Sequence, residues 1–265
     1  MDVFTGDKLS NSYAICLIGH GSRDPEGVQE FLTLSQKLHE SKFCNIIEPG
    51  FLEFAKPTAA EALSACKHSG AKNIIILPVI LFSGEHTQRD VPRIAGEVFQ
   101  DHPETNLFFA KPLATHPKVI EVCQKRIENE EKNSPKSISR SETLLMTIGH
   151  GSCDKSYNSE VKKVLSQLGE KMGFGKTITF LAETSQGSLE DLQKIFAQRE
   201  FLRVNLMPFF LFSGIWVKRI HTLAETFQSK YPDTEIIKAP CLSHHALVVD
   251  ALIQRARESV SKNLT

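Results

Sequence analysis

Two histidines and a glutamate stand out because each follows directly on an apolar, β-rich run. His20 lies in Gly19-His20-Gly21-Ser22, His86 in Ser83-Gly84-Glu85-His86, and Glu53 closes Phe51-Leu52-Glu53. Neutral imidazole is the commonest ligand for borderline divalent metals and takes up protons near neutral pH. A carboxylate at the same place accepts a proton or helps to hold a cation. The set therefore reads as a site that handles a divalent ion and moves protons, with His20, His86 and Glu53 as catalytic candidates and the two histidines as metal ligands. Around it, Ser22, Ser83 and Gly84 offer backbone or hydroxyl groups to an anionic substrate. Arg23, Arg89 and Arg93 offer guanidinium groups for carboxylates. Each residue also has a plainer reading: a turn histidine, a solvated strand-end glutamate, arginines on a helix surface. Glu85 has a weaker claim. His116 reads as a helix-starting residue, and His39, His68 and His102 as surface residues. His221 and His245 have no clear partner.

Strands are predicted at about 13–19, 46–52, 73–81 and 106–110, with helices at about 25–40, 57–68, 88–101 and 117–129. The alternation predicts an α/β fold with a parallel sheet flanked by helices. Ligands in such sheets bind outside the carboxyl ends of the strands, which is where His20, Glu53 and Ser83 to His86 fall. Glycines on both sides of His20 permit a sharp turn. Pro25 marks the start of a helix whose N-terminal amides would favour an anion.

The frame occurs twice. Ala14 to Ser22 returns as Leu144 to Ser152, and Asn73 to Gly84 returns as Arg203 to Gly214, both at an offset of 130 residues. Phe51-Leu52 is matched to Phe180-Leu181, and Pro112 with His116 to Pro240 with His244, at offsets of 129 and 128. Four collinear echoes establish a duplication. The second set of strands falls at about 144–149, 177–182, 203–211 and 234–238. Residues 129–142 are polar and charged, which is linker composition. The reading is a first lobe at 1–130 carrying the site, a linker at 131–142 and a second lobe at 143–265. The copies differ in chemistry. His150 repeats His20, but Trp216 stands opposite His86. An indole cannot ligate a metal or act as a base, so His150 and Trp216 are expected to be dispensable for metal transfer or to serve only to shape the cleft.

Composition narrows the classes. Apolar residues make up 41% and charged residues 23%, as in ordinary globular chains. Lys and Arg number 31, as do Asp and Glu, so no global basic field recommends nucleic acid or an anionic membrane as partner. Six cysteines are scattered with no C-x-x-C pair, which reads as free thiols in a reducing cytosol. Residues 1–12 lack the pattern of a signal peptide, and no apolar run approaches the ~20 residues of a membrane span. A cytoplasmic location is expected.

At these residues the chain resembles the sirohydrochlorin chelatases, class II chelatases that insert a divalent metal into a reduced tetrapyrrole, in their long, duplicated bacterial form. The resemblance covers nearly the whole chain. It rests on Gly19-His20-Gly21-Ser22, on Phe51-Leu52-Glu53 with Pro57, and on Leu77-Pro78, Ser83-Gly84 and His86 with Asp90-Val91-Pro92. It implies that His20 and His86 are the functional pair and that two α/β lobes face each other across a cleft. It implies sirohydrochlorin and a divalent metal, Fe²⁺ or Co²⁺, as substrates in sirohaem or cobalamin biosynthesis, with no tightly bound cofactor. The histidine-rich stretch and C-terminal cysteine motif of some cobalt-inserting members have no counterpart here, which favours Fe²⁺. A duplicated chain can itself supply the two lobes that a half-length relative would assemble as a homodimer, which is compatible with a monomer. The rival readings are a non-catalytic metal or tetrapyrrole carrier on the same scaffold and a chelatase of another tetrapyrrole. A histidine phosphatase would want arginine where Gly19 stands.

Overall fold

The structure, a computed structural model, describes residues 3–82, 84–152, 154–182, 194 and 200–261, with the backbone alone for Glu85, His86 and Thr87. After a short antiparallel hairpin, β1 (Phe4–Thr5) and β2 (Lys8–Leu9), the first copy runs β3 (Tyr13–Gly19), α1 (Pro25–Glu40), β4 (Ile47–Phe51), α2 (Ala59–His68), β5 (Asn73–Val79), α3 (Glu85–Phe99), β6 (Asn106–Phe109) and α4 (Pro117–Asn133). The second runs β7 (Thr143–His150), α5 (Lys155–Met172), β8 (Lys176–Ala182), β9 (Arg203–Phe209), α6 (Ile215–Lys230), β10 (Glu235–Lys238) and α7 (Ala246–Ser261). A 3₁₀ turn, Arg140–Glu142, precedes β7. The hairpin was not anticipated, because strands of two residues leave no periodic signal. Among the described residues no helix is long and apolar enough to cross a membrane.

Each copy forms an all-parallel four-stranded sheet, in the order β4-β3-β5-β6 and β8-β7-β9-β10. β3 is central because both its faces are covered, which is why Ala14 to Ile18 reads as an unbroken apolar run. On one face Ala14, Cys16, Ile18, Ile74 and Ile76 pack under α2 and α3. The intervening Ile15, Leu17, Ile75 and Leu77 point to the other face, where α1 and α7 lie. The Cys16 thiol is pushed well above its usual range by its hydrogen bond to Cys66 and by burial, so it packs as an inert group. All five described cysteines are buried, and none of them is in a disulfide.

The compact units do not coincide with the two repeats. One comprises residues 1–118 with 243–265, the other residues 119–242. Thus α4, which ends the first copy, buries Val119, Val122, Cys123 and Ile127 in the second unit. Reciprocally, α7 packs on β5, β6 and α1 in the first unit. The exchange is invisible to periodicity, which reports that a helix has an apolar stripe and not which sheet receives it.

The stretch read as a linker is bound down. Glu131 to Asn133 still belong to α4. Beyond them, the buried Arg203 donates from Nε to Glu235 at 2.6 Å, and its other nitrogens donate to Ser134 Oγ at 3.1 Å and the carbonyls of Lys136 and Ile138 at 2.6 and 3.3 Å. Arg140 donates to both carboxylate oxygens of Glu131, which also accepts from the buried Asn205 at 2.8 Å. The polar composition of the segment serves this network rather than solvation.

Candidate active site

The strand order places a topological switch at β3: the chain leaves it for β4 on one side and continues through β5 and β6 on the other. A crevice outside the carboxyl ends of β3 and β5 is the expected ligand position. His20 directly follows β3, and the backbone of His86 is in the first turn of α3, which follows β5. The helix begins at Glu85, three residues earlier than predicted, because Gly84 takes the extended cap conformation and Gln88 N donates to Gly84 O at 3.1 Å. The histidine is therefore a helix residue and not a loop residue. Its side chain, and the whole of Ser83, lie outside the described residues.

At the mouth of β3 the chain is zipped to the segment that follows β4. Leu52 N donates to Gly19 O at 3.0 Å and Glu53 N to His20 O at 2.9 Å. Gly21 makes this possible. Its φ is +99°, and a Cβ there would collide with the carbonyl of Glu53. We expect Gly21→Ala to lose about 2 kcal/mol of stability, from the positive φ and the overlap together, measured as a fall in the urea midpoint of unfolding. An unchanged midpoint would show that the two segments can part freely.

The zip leaves His20 and Glu53 side by side on the backbone, with both side chains exposed. Ser22 serves the turn: its Oγ accepts from Asp24 N at 3.0 Å. The α1 N-terminus is not open to an anion as predicted, since Asp24 caps it and its own carboxylate accepts from Glu26 N at 3.1 Å. Arg89 and Arg93 sit on the exposed side of α3. Arg89 pairs with Asp90, and Arg93 pairs with Asp90 and with Glu97. Such exposed pairs are worth only about 0.2–1 kcal/mol each and are easily exchanged for a ligand. Arg23 carries no ion pair among the described residues and lies over the Phe54 ring, 4.7 Å from its centroid. Phe54 was not singled out in the sequence. A phenylalanine carries no chemistry of its own, and only its place beside His20, with ring centroids 6.4 Å apart, brings it into view. Among the described residues no three His, Cys, Asp or Glu side chains converge as a ready-made metal cage.

His116 behaves as a helix-starting residue. It is buried, and its Nδ1 accepts from Lys118 N at 3.2 Å. Burial first, and the Arg255 charge second, hold its pKa below the usual histidine range. Its structural counterpart is His245, whose Nδ1 accepts from Leu247 N at 3.2 Å, and not His244 as the sequence echo suggested. A second echo also slips by one residue. Gly19 pairs with Phe51, but Gly149 pairs with Leu181, so Phe180 takes the place of Gly50. One residue of register reverses the face. Phe51 packs on Phe31, while Phe180 joins the opposite cluster with Met146 and Ile148.

In the second copy His150 is also exposed at a strand end, with Nδ1 2.6 Å from Gly151 O. Trp216 is the second residue of α6, as His86 is of α3. It packs against the second unit's core, with Arg219 over its ring at 5.0 Å. Its role there is at least partly packing. His221, half-buried on the same helix, has its pKa lowered by burial.

Comparison with known proteins bears on this arrangement. The model of the CbiX family matches residues 14–130 and again 144–259. A sirohydrochlorin cobaltochelatase of Priestia megaterium is 25% identical over 252 residues, covering 93% of this chain and 80% of that protein. A sirohydrochlorin ferrochelatase of the same organism is 24% identical over 232 residues, covering 88% and 85%. The solved structure of SirB from Bacillus subtilis with Fe³⁺ superposes with a TM-score of 0.80 at 22% identity, over 95% of this chain and 96% of that one, and shares the fold. Two matches of one family model, each spanning one four-stranded sheet and its mouth, account for both the duplication and the architecture: the chain belongs to the CbiX family.

Proposed function

We propose that this chain is a metal chelatase that inserts a divalent ion into sirohydrochlorin, with Fe²⁺ favoured and Co²⁺ close behind. The observation that carries the proposal is the zipped β3 mouth. It joins two exposed residues, a histidine and a glutamate, through their backbones at the switch point of the sheet, in a chain whose relatives include sirohydrochlorin cobaltochelatases and ferrochelatases. Insertion requires the macrocycle to release two N–H protons for each divalent ion taken up, while the ion sheds its water. In this reading His20, with His86 from the first turn of α3, holds the ion loosely on one face of the macrocycle and then hands it over. Incomplete coordination suits that step better than a closed four-ligand site would. One of the two histidines, with Glu53, accepts the protons as they leave. Ser22, Gly84 and the three arginines, with Ser83, are proposed to receive the carboxylates of the substrate. The site belongs to the first copy, and a reducing cytoplasm, which keeps both Fe²⁺ and free thiols reduced, suits the reaction.

An anaerobic assay with sirohydrochlorin and Fe²⁺, Co²⁺ or Ni²⁺ in turn tests this. The expected result is multiple turnover with Fe²⁺ fastest. Stoichiometric binding with an insertion rate no higher than the uncatalysed one would replace the chelatase with a carrier. Turnover with Co²⁺ alone would reverse the order of metals.

A further inference from the structure

We propose that Phe54 and Arg23 form a positioning element that seats the tetrapyrrole over His20, the Phe54 ring stacking on the macrocycle and the Arg23 guanidinium binding one of its peripheral carboxylates. This rests on the chelatase reading above. The structure supplies three reasons. First, Phe54 is held in the left-handed region with φ +62°, at the centre of a tight turn in which Ala55 N donates to Glu53 O at 2.8 Å. That conformation is uncommon for a bulky residue and persists only where the surroundings impose it. Here they do: Glu53 N is bonded to His20 O, and Phe51 N donates to Pro57 O at 2.9 Å, so the turn is pinned at both ends. Second, the turn drives the ring outward, leaving the residue 53% exposed. An unfavourable backbone angle that exposes an apolar ring opposes folding twice, so its use lies elsewhere. Third, the ring is beside the imidazole and under the arginine. His20 is 6.4 Å from it, centroid to centroid and tilted by 34°, and the Arg23 guanidinium is 4.7 Å from its centroid.

The chemistry that fits is narrow. A flat, polycarboxylated macrocycle offers a π-face to an aromatic ring and carboxylates to a planar guanidinium fork. Stacking against Phe54 orients the fork while leaving its N–H donors for bidentate bonding. The ring thus acts through contact with the substrate and through Arg23, and neither residue exchanges protons with the macrocycle.

The test compares Phe54→Asn, Phe54→Leu, Phe54→Tyr and Arg23→Gln by steady-state insertion and by direct titration of metal-free sirohydrochlorin. Asparagine tolerates positive φ and removes the exposed ring. Phe54→Asn is therefore expected to keep or raise the unfolding midpoint while the KM for sirohydrochlorin rises about tenfold, the loss of one aromatic contact. The KM for the metal and kcat are expected to stay within about twofold. Phe54→Leu should behave likewise, and Phe54→Tyr should restore affinity. Arg23→Gln should also raise the sirohydrochlorin KM, and combining it with Phe54→Leu should cost less than the two effects summed, because the ring orients the guanidinium. An unchanged KM and titration curve in Phe54→Leu, or a fall in kcat alone, would overturn the proposal while leaving the chelatase reading intact. If the unaltered protein inserts no metal, the chelatase reading fails by itself, and the titration still decides whether Phe54 and Arg23 hold the macrocycle.

Discussion

His20→Ala is expected to lower the rate of metal insertion by about 10²–10⁴-fold, the range for removing a positioned proton-transfer group. The protein should remain folded. The side chain is exposed, and the backbone carbonyl that accepts from Glu53 N survives the substitution. The urea midpoint should therefore change by no more than the equivalent of about 0.5 kcal/mol. His150→Ala is the control, since it removes the same residue type from the same turn of the other copy; its insertion rate should stay near that of the unaltered protein. Equal losses in both would mean that the second copy shares the chemistry. No loss in His20→Ala would remove the basis for the site.

The second large effect concerns stability. Arg203→Ala is expected to cost about 4 kcal/mol, as when one partner of a buried ion pair is removed. The side chain of Arg203 is 3% exposed and that of Glu235 13%. Without the guanidinium, Glu235 keeps only the Ser134 hydroxyl among its described partners, at 2.5 Å, and the carbonyls of Lys136 and Ile138 lose their donor. At roughly 2–4 °C per kcal/mol for a chain of this size, the thermal midpoint should fall by about 8–16 °C. Removing both charges in Arg203→Met with Glu235→Leu should recover part of the loss, because no carboxylate is then stranded. A shift under about 1 kcal/mol in Arg203→Ala would show that the segment after α4 is a free connector after all.

Much of the fold could be read from the chain because it depends on local signals. Buried parallel strands appear as runs rich in apolar residues, and the duplication appears as a fixed offset between such runs. The strand-end positions of His20 and Glu53 were legible because each directly follows an apolar run, whereas α3 begins three residues before its apolar pattern does. What escaped depends on which surface meets which. The register of β8 differs from its echo by one residue, and the partner of a terminal helix is fixed by packing alone. Arg203 opens β9, and its burial follows only once the segment from Ser134 to Ile138 folds over it. Phe54 was overlooked because an aromatic beside a strand reads as core until the positive φ turns it outward.

The exchange of α4 and α7 has a consequence for the order in which a nascent chain can fold. The second unit is continuous, residues 119–242, whereas the first is closed only by residues 243–265. A ribosome therefore releases the β5 side of the first sheet long before the helix that covers it exists. Domains generally fold as units, and an N-terminal one ordinarily completes first during synthesis. Here the downstream unit is the first whose residues are all present. The sheet that bears His20 waits with apolar surface uncovered until the last helix arrives, so the early chain is the stretch most in need of a chaperone.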